Sequence, residues 1–220
     1  MFETWGVRSG HFIDGAWVPG QPGLDVFSPI DEASLGRIAE ATEEEVGAAA
    51  QAAAAAFPAW AALGAEGRLP YLLRFAEEIG ARTDALATVE ALDAGILESR
   101  MRHGIVPRAQ LNIRHFAEAA ITLQDRVLET AQARHLVRHD PAGVCAIITP
   151  WNSPLMLSTW KLGPALAAGN TCILKAPEWA PFSSALVAQA AEAAGLPPGV
   201  LNLLQGTGAG TGAALIDRPE

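Results

Sequence analysis

Three short stretches contain residue types that could bind a ligand and assist a reaction. They are Thr149-Pro150-Trp151-Asn152-Ser153-Pro154, Lys175-Ala176-Pro177-Glu178 and Gly206-Thr207-Gly208-Ala209-Gly210. An asparagine side chain can donate its amide to a developing oxyanion. A carboxylate with a nearby lysine can hydrogen-bond the hydroxyls of a ribose, as acidic residues do in dinucleotide-binding folds. These residue types therefore favour a nucleotide-dependent enzyme.

The first two stretches also have purely structural interpretations. Asn152 or Ser153 could cap the helix that follows them, because both side chains can accept hydrogen bonds from free backbone amides. Trp151 could be an ordinary packing residue, since large aromatic side chains dominate protein cores. Lys175 and Glu178 could form a surface ion pair of little energetic value. Sequence alone leaves these alternatives open.

The third stretch contains Gly208-x-Gly210-x-x-Ala213, which matches the looser form of the dinucleotide fingerprint. A tight turn between a strand and a helix would require the same glycines. Gly and Ala are abundant in this chain, so the match is a weak indication by itself.

The elements around these stretches alternate between strands and helices. Apolar strand-like runs occupy 143–148, 171–174 and 200–204, and helical patterns occupy 155–168 and 183–194, followed by Gly169 and Gly195. A β-α-β-α-β unit of this kind is right-handed and parallel, so the loops that follow its strands meet at one sheet edge, where ligands bind. We therefore predict an α/β fold with a Rossmann-like parallel sheet flanked by helices.

The first 140 residues supply the remaining elements. The stretch His11–Pro29 has the turn signals of a hairpin. Thr42 begins a capping box and an Ala-rich helix that Pro58 should end. Amphipathic helices follow, one of them after a cap at Thr83, and another leads to residues 121–140, which lack helical periodicity and predict a projecting β-ribbon.

Composition excludes several classes of function. The 220 residues are 50% hydrophobic, which suffices for one large domain, and the formal net charge is −9 with no basic cluster, so we expect no nucleic-acid partner. The five histidines have no metal-ligand spacing, so no metal site is expected. The uncharged run Pro141–Trp160 contains prolines and Asn152, which favours buried protein over a membrane span.

Cys145 and Cys172 lie inside apolar strand-like runs, where a thiol would be buried, protonated and unreactive. Two such cysteines suit a reducing compartment, and nothing near Met1 resembles a signal peptide. We therefore expect a cytoplasmic protein.

Several blocks in order resemble the signature blocks of the aldehyde dehydrogenase superfamily. They are Thr149-Pro150-Trp151-Asn152, Trp160-Lys161, Pro164-Ala165-Leu166-Ala167-Ala168-Gly169-Asn170, Lys175-Ala176-Pro177-Glu178 and Ala194-Gly195-Leu196-Pro197-Pro198-Gly199-Val200-Leu201-Asn202, with Glu90-Ala91-Leu92-Asp93-Ala94-Gly95 earlier in the chain. The resemblance covers nearly the whole chain. Ser153–Lys161 is most similar to the dehydrogenases of hydroxymuconic semialdehydes.

The resemblance implies the NAD⁺-dependent oxidation of an aldehyde to an acid through a cysteine thiohemiacetal and thioester. Asn152 matches the residue that donates its amide to the thiohemiacetal oxygen. Lys175 and Glu178 match the residues that hold the adenosine ribose, and a glutamate there disfavours the 2′-phosphate of NADP⁺. The remaining expected cofactor-binding residues are Thr149, Pro150, Trp151 and Gly208.

Family members are considerably longer than this chain, and the blocks that contain the nucleophilic Cys and the general-base Glu have no match here. We therefore expect an incomplete NAD-binding domain, 1–120 and 141–220, with an oligomerisation ribbon, 121–140, and no catalytic domain. The third parallel strand should then lie at an unpaired sheet edge. The chain alone should be inactive, and the full-length form a homodimer or homotetramer. The alternative is a truncated, non-catalytic module that pairs with a full-length relative.

Overall fold

A short 3-10 helix (Phe2–Trp5) precedes two antiparallel hairpins in the computed structural model, which describes residues 2–218. Their strands are β1 (His11–Ile13), β2 (Ala16–Val18), β3 (Gln21–Phe27) and β4 (Ser34–Glu40). Asp14 and Gly15 join the first pair with φ angles of 50° and 78°, as a two-residue hairpin turn requires. The expected hairpin entry is confirmed. The sequence analysis missed β4, which has a glycine near its centre.

A helical layer follows. Its elements are α1 (Glu43–Ala62), α2 (Gly64–Ala81), α3 (Thr83–Asp93), α4 (Glu98–Arg100), a π-helical turn (Met101–Ile105) and α5 (Val106–Thr122). α1 begins at the predicted capping box, in which Thr42 and Glu45 each accept a hydrogen bond from the other's backbone N–H. Thr83, expected to be a cap, instead donates its hydroxyl to the Gly80 carbonyl at 2.6 Å.

The prediction that Pro58 ends α1 is wrong. Proline removes one helical hydrogen bond, to the carbonyl of Ala54, but both residues lie on the exposed face, where water can replace the lost donor. Continuation of the helix buries Trp60, whose indole N–H donates to the Leu166 carbonyl at 3.2 Å. The helix then breaks at Gly64, which has a φ of 67°.

Within residues 2–218, no single helix is both long and apolar enough to cross a membrane. The pair α1 and α2 meets the length and composition criteria only when taken together, and it is bent by 117°.

A two-stranded ribbon follows α5. Its strands, β5 (Arg126–Glu129) and β6 (Arg134–Val137), pair in antiparallel register and expose nearly all their side chains. The predicted ribbon is thus present, although α5 continues to Thr122 and the ribbon occupies only the later part of 121–140. Its role in oligomerisation stays a prediction, as do the domain boundaries.

The last eighty residues form the parallel part of the sheet. The elements are β7 (Val144–Ile148), α6 (Pro154–Ala167), β8 (Thr171–Lys175), α7 (Phe182–Ala193), β9 (Leu201–Leu204), a π-helical turn (Gly208–Gly212) and α8 (Ala213–Ile216). β7 pairs with β8, and β8 with β9, in parallel. After α6 and α7, Gly169 and Gly195 adopt φ angles of 99° and 72°. The predicted β-α-β-α-β unit is confirmed.

The expectation that β9 forms an unpaired edge is wrong. The strand order is β2-β1-β9-β8-β7, because β1 returns to pair antiparallel with β9, with Phe12 opposite Leu203. Among the described strands the edges of this sheet are β2 and β7; β7 is partly exposed, whereas every residue of β8 and β9 is buried. Pairing between strands almost two hundred residues apart has no local sequence signal.

Helices cover both faces of this sheet. Ile173 of β8 clusters with Val46, Ala49 and Ala53 of α1 on one face. Its neighbours Cys172 and Leu174 belong to the larger core that includes apolar residues of α6 and α7 on the other face. This two-sided burial explains why the central strands are apolar throughout.

Candidate active site

A buried lysine and a glutamate form the centre of the site at the end of β8. Lys175 is 1% exposed, and its Nζ lies 2.9 Å from Glu178 Oε2. The other carboxylate oxygen, Oε1, accepts the backbone N–H of Gly208 at 3.2 Å. The structure thus brings all three predicted residues together. An ordinary surface ion pair does not describe a lysine that is almost completely buried.

The electrostatics of this pair favour an ionised Glu178. Partial burial acts to raise its pKa, but the hydrogen bonds from Lys175 and from the Glu178 and Gly208 amides outweigh it, and the pKa falls below its ordinary value. The carboxylate is therefore a fixed negative charge at the carboxyl ends of β8 and β9.

A second carboxylate organises the turn after β9. Glu40, at the end of β4, accepts the backbone N–H and the hydroxyl of both Thr207 and Thr211, at 2.8 to 3.1 Å. Thr207 also caps the π-helical turn by accepting the Gly210 N–H at 2.9 Å. No local sequence pattern indicates Glu40, because its partners lie about 170 residues away.

The loop after β7 is attached only at its ends. Thr149 is 4% exposed and donates its hydroxyl to the Lys175 carbonyl at 3.3 Å, so this side chain links the loop to β8. Pro150, Trp151 and Asn152 are exposed, Trp151 by 59%. Within the described residues the Asn152 side chain has no hydrogen-bond partner, and its amide is free to meet a ligand.

Neither Asn152 nor Ser153 caps α6. The carboxylate of Glu90 on α3 accepts the Leu155 N–H at 2.6 Å instead, so the cap comes from another helix. One turn further along α3, Asp93 accepts the N–H of Phe182 at the start of α7, at 3.1 Å. Two buried acidic side chains thus accept hydrogen bonds from the amino termini of both crossover helices, whose first amides have no partner within the helix.

Burial changes the ionisation of both acids. Desolvation raises the pKa of Glu90 to about 7, against the lowering effect of the Leu155 amide. Desolvation and the nearby Glu90 raise the pKa of Asp93 well above its ordinary value. The sequence did contain a signal for these two residues, because they interrupt the apolar face of α3 formed by Leu86 and Val89.

The two thiols do not suit a nucleophile. Cys172 is completely buried, and desolvation raises its pKa well above the ordinary value. Cys145, its neighbour across the parallel pair, is partly exposed, which corrects the expectation of full burial, but desolvation raises its pKa too. The residues described contain no cluster of three or more His, Cys, Asp or Glu that could hold a metal ion.

A groove of about 540 Å³ runs between α5 and α6. Its lining residues are Arg108, Leu111, Asn112, His115, Phe116 and Trp160. Asn112 connects the two helices through hydrogen bonds from its amide to Thr159 and Met156. The groove is largely apolar with one permanent positive charge, Arg108, and it lies along the helix that begins directly after Asn152. The sequence analysis did not identify it.

Known proteins resemble this chain over nearly its whole length. Residues 17–220 match the model of the aldehyde dehydrogenase family. The 2-aminomuconic semialdehyde dehydrogenase of Bos taurus is 36% identical to this chain, and the match covers 96% of this chain and 44% of that protein. The 2-hydroxymuconic semialdehyde dehydrogenase of Pseudomonas sp. (strain CF600) is 38% identical, and the match covers 96% of this chain and 45% of that protein. The crystal structure of PnpE from Pseudomonas sp. WBC-3 in complex with nicotinamide adenine dinucleotide superposes with a TM-score of 0.89 at 38% identity, covering 96% of this chain and 44% of that one. The chain thus spans less than half the length of these relatives.

Proposed function

The chain belongs to the aldehyde dehydrogenase family, and from this premise we propose that it supplies the cofactor site and the oxyanion donor for NAD⁺-dependent oxidation of an aldehyde. The observation that carries the proposal is the buried Lys175 paired with Glu178 at the same sheet edge as the free amide of Asn152. A ligand at that edge can contact both groups.

Lys175 and Glu178 would bind the adenosine ribose. The ionised carboxylate accepts hydrogen bonds from the ribose hydroxyls, and the ammonium group donates to the same sugar. A fixed negative charge at this point repels a 2′-phosphate, which favours NAD⁺ over NADP⁺. The rest of the dinucleotide would contact exposed residues at the same sheet edge, namely Pro150, Trp151 and Gly208. Thr149 is buried and holds its loop against β8 through the hydrogen bond to the Lys175 carbonyl. When bound, the nicotinamide accepts the hydride of the aldehyde.

Asn152 would stabilise negative charge on the aldehyde oxygen after attack by a thiolate. Removal of one such donor typically lowers the rate by roughly 10²–10³-fold. Because burial disfavours the thiolates of Cys145 and Cys172, we propose that the nucleophile and the general base lie outside these 220 residues.

The groove between α5 and α6 supports a substrate class. Several relatives are named for semialdehydes, including 2-aminomuconic and 2-hydroxymuconic semialdehyde, which carry a carboxylate as well as an aldehyde. Arg108 offers the groove a permanent positive charge that suits such a carboxylate, and the apolar walls suit a short carbon chain. A carboxylated semialdehyde is therefore the proposed substrate class.

Calorimetry with NAD⁺ on the purified chain tests the cofactor assignment. Glu178→Ala should weaken binding at least tenfold, because the ribose hydroxyls lose a charged acceptor. Glu66→Ala removes an exposed acid on α2 and serves as the control, with binding expected to match the unsubstituted chain. Unchanged affinity in Glu178→Ala would show that the ribose lies elsewhere.

The substrate class is tested with succinic semialdehyde and butanal, which differ by one carboxylate, on the full-length protein. Arg108→Leu should lower kcat/KM for succinic semialdehyde by about tenfold or more, the value of one charged hydrogen bond, and leave butanal unaffected. Equal losses for both aldehydes would contradict a carboxylate contact.

A non-catalytic module that pairs with a full-length relative remains the second candidate. The ribbon favours it, because Val127, Leu128 and Leu136 expose apolar surface. Aldehyde turnover by the purified chain, abolished in Asn152→Ala, would eliminate this candidate. Association with a full-length relative, lost when the three side chains are replaced by Ser, would support it.

A further inference from the structure

Glu40 is the most extensively bonded carboxylate outside the proposed contacts to ligand. Its oxygens accept from Thr207 N at 2.8 Å and Oγ1 at 3.1 Å, and from Thr211 N at 3.1 Å and Oγ1 at 3.0 Å. Both threonines belong to the turn 206–211 after β9. The acid itself is on β4, outside the parallel unit.

This turn needs an external partner. Three of its six residues are glycine, and glycine loses more backbone entropy on ordering than any other residue. Glu40 also occupies the space that a side chain at Gly206 or Gly210 would fill. A Cβ at Gly206 would lie 3.0 Å from Glu40 Oε1, and a Cβ at Gly210 would lie 2.4 Å from the same atom. The carboxylate is therefore packed into the turn as well as bonded to it.

Hydrogen bonds to Gln205 hold the carboxyl end of β4 beside the end of β9. The amide of Ala39 donates to the side chain of Gln205, and the amide of Ala41 donates to the Gln205 carbonyl, at 3.3 and 3.2 Å. The Gln205 N–H in turn donates to Nδ1 of the fully buried His11, at 3.1 Å. Glu40, which lies between these two amides, consequently has a defined position beside the turn.

Within residues 2–218, the hydrogen bond from Gly208 N to Glu178 Oε1 connects the turn to the proposed ribose site. We propose that Glu40 is a positioning residue for the cofactor: it fixes the turn 206–211 so that Gly208 holds Glu178 in the orientation that receives the ribose. Glu40 would touch no part of the cofactor. The inference rests on the proposed function, because it assumes that Glu178 binds the ribose.

The test is NAD⁺ calorimetry on Glu40→Gln. Glutamine preserves the size of the side chain but presents an amide NH₂ to hydroxyls and amides that all need an acceptor. We expect Kd for NAD⁺ to rise about tenfold, the equivalent of one hydrogen bond to a charged group. Glu44→Gln makes the same charge change at an exposed position of α1 four residues away and should leave Kd within about twofold.

Two further measurements separate positioning from general loss of structure. In the Glu178→Ala background, Glu40→Gln should raise Kd by less than it does in the unsubstituted chain, because Glu178, through which it acts most directly, is gone. The preference for NAD⁺ over NADP⁺ should also decrease in Glu40→Gln, since a mobile Glu178 repels a 2′-phosphate less. If Glu40→Gln does not fold, Thr211→Val removes one donor and retains the charge, and about a threefold rise in Kd is expected, half the free energy of the tenfold effect.

The outcomes distinguish the two proposals. If Glu178→Ala weakens NAD⁺ binding but Glu40→Gln and Thr211→Val do not, Glu40 has no positioning role and the proposed function stands. Additive losses in the double variant would also overturn the inference. If Glu178→Ala itself has no effect, the ribose assignment fails, and the inference fails with it.

Discussion

The two halves of the proposed site differ in how firmly they are held. At the ends of β8 and β9, Lys175, Glu178 and Gly208 are bonded to one another, and Glu40 supports the turn that contains Gly208. At the end of β7, Asn152 is exposed and has no polar partner among the described residues. We call these the ribose half and the oxyanion half.

This contrast indicates which part of the proposed function the chain can perform without other segments. A binding site whose charged groups are fixed before the ligand arrives loses little entropy on binding. The ribose half has that property, and it is assembled from β4, β8 and β9. An oxyanion donor must be aimed at the reacting atom, and nothing in residues 2–218 aims Asn152. The comparison therefore predicts cofactor binding without dependence on Asn152.

The largest expected effect concerns the helix that carries the oxyanion half. Glu90 caps α6 and has a pKa of about 7, raised from 4.5 by burial. The folded state keeps this proton over a pH range in which the unfolded chain has released it, so stability falls as pH rises through that range. Between pH 5.5 and 7.5 the contribution of Glu90 to the free energy of unfolding should decrease by about 2 kcal/mol.

Urea unfolding at the two pH values tests this expectation. Glu90→Gln keeps a side-chain acceptor for the Leu155 N–H but cannot ionise, so its stability should depend less on pH. Asp93→Asn removes the neighbouring acid, whose pKa burial also raises, and leaves the α6 cap in place, so it separates the contribution of Asp93 to the pH dependence from that of Glu90. An identical pH dependence in Glu90→Gln and the unsubstituted chain would contradict the assignment.

The ribose half should respond to pH in the opposite direction. The lowered pKa of Glu178 means that its ionised form is favoured by folding, and this stabilisation is lost as pH falls through the folded-state pKa.

Lys175→Met removes the buried partner of Glu178 and should weaken NAD⁺ binding by about 10- to 100-fold, the range for a hydrogen bond between charged groups. Calorimetry measures the loss.

Glu178→Gln in the Lys175→Met background is the control for that experiment. Because Glu178 itself accepts hydrogen bonds from the ribose in the proposed function, the double variant should bind NAD⁺ more weakly than Lys175→Met alone. Full affinity in Lys175→Met would mean that the buried ion pair serves the fold and not the ligand.

A smaller effect is expected at the side-chain hydrogen bond between Thr149 and Lys175, which links the two halves. Thr149 donates its hydroxyl to the Lys175 carbonyl at 3.3 Å. Thr149→Val preserves the shape and should cost about 1 kcal/mol of unfolding free energy, the usual net value of one such bond. Thr149→Ser retains the hydroxyl and should lower the free energy of unfolding by less than Thr149→Val does. A loss of NAD⁺ affinity in Thr149→Val but not in Thr149→Ser would show that the halves are coupled.

The smallest effect is expected at Asn152. Its side chain is exposed and unbonded within the described part of the chain, so Asn152→Ala should change the free energy of unfolding by less than about 0.5 kcal/mol. NAD⁺ affinity should be unchanged by calorimetry. A substantial change in either quantity would mean that the oxyanion half is organised already, which removes the contrast between the two halves.

Local sequence patterns predicted the elements that form from nearby residues. The capping box at Thr42, the hairpin turn at Asp14-Gly15 and the helix ends at Gly169 and Gly195 depend on contacts within a few residues, and the structure has all of them. The Pro58 prediction failed because the exposure of a helix face, which decides whether a lost hydrogen bond can be replaced by water, is a tertiary property.

The amino-acid sequence by itself determined the parallel unit and the placement of Asn152, Lys175 and Glu178 at one sheet edge, because strand order within a right-handed β-α-β unit follows from chirality and connection length. Only the tertiary structure decided that Lys175 is buried, that Glu90 and not Asn152 caps α6, and that Glu40 supports the glycine turn. The reason is physical: each of these features joins residues between 65 and 171 positions apart or depends on what covers them. A hydrogen bond across such a distance exists only when the whole fold brings its partners together.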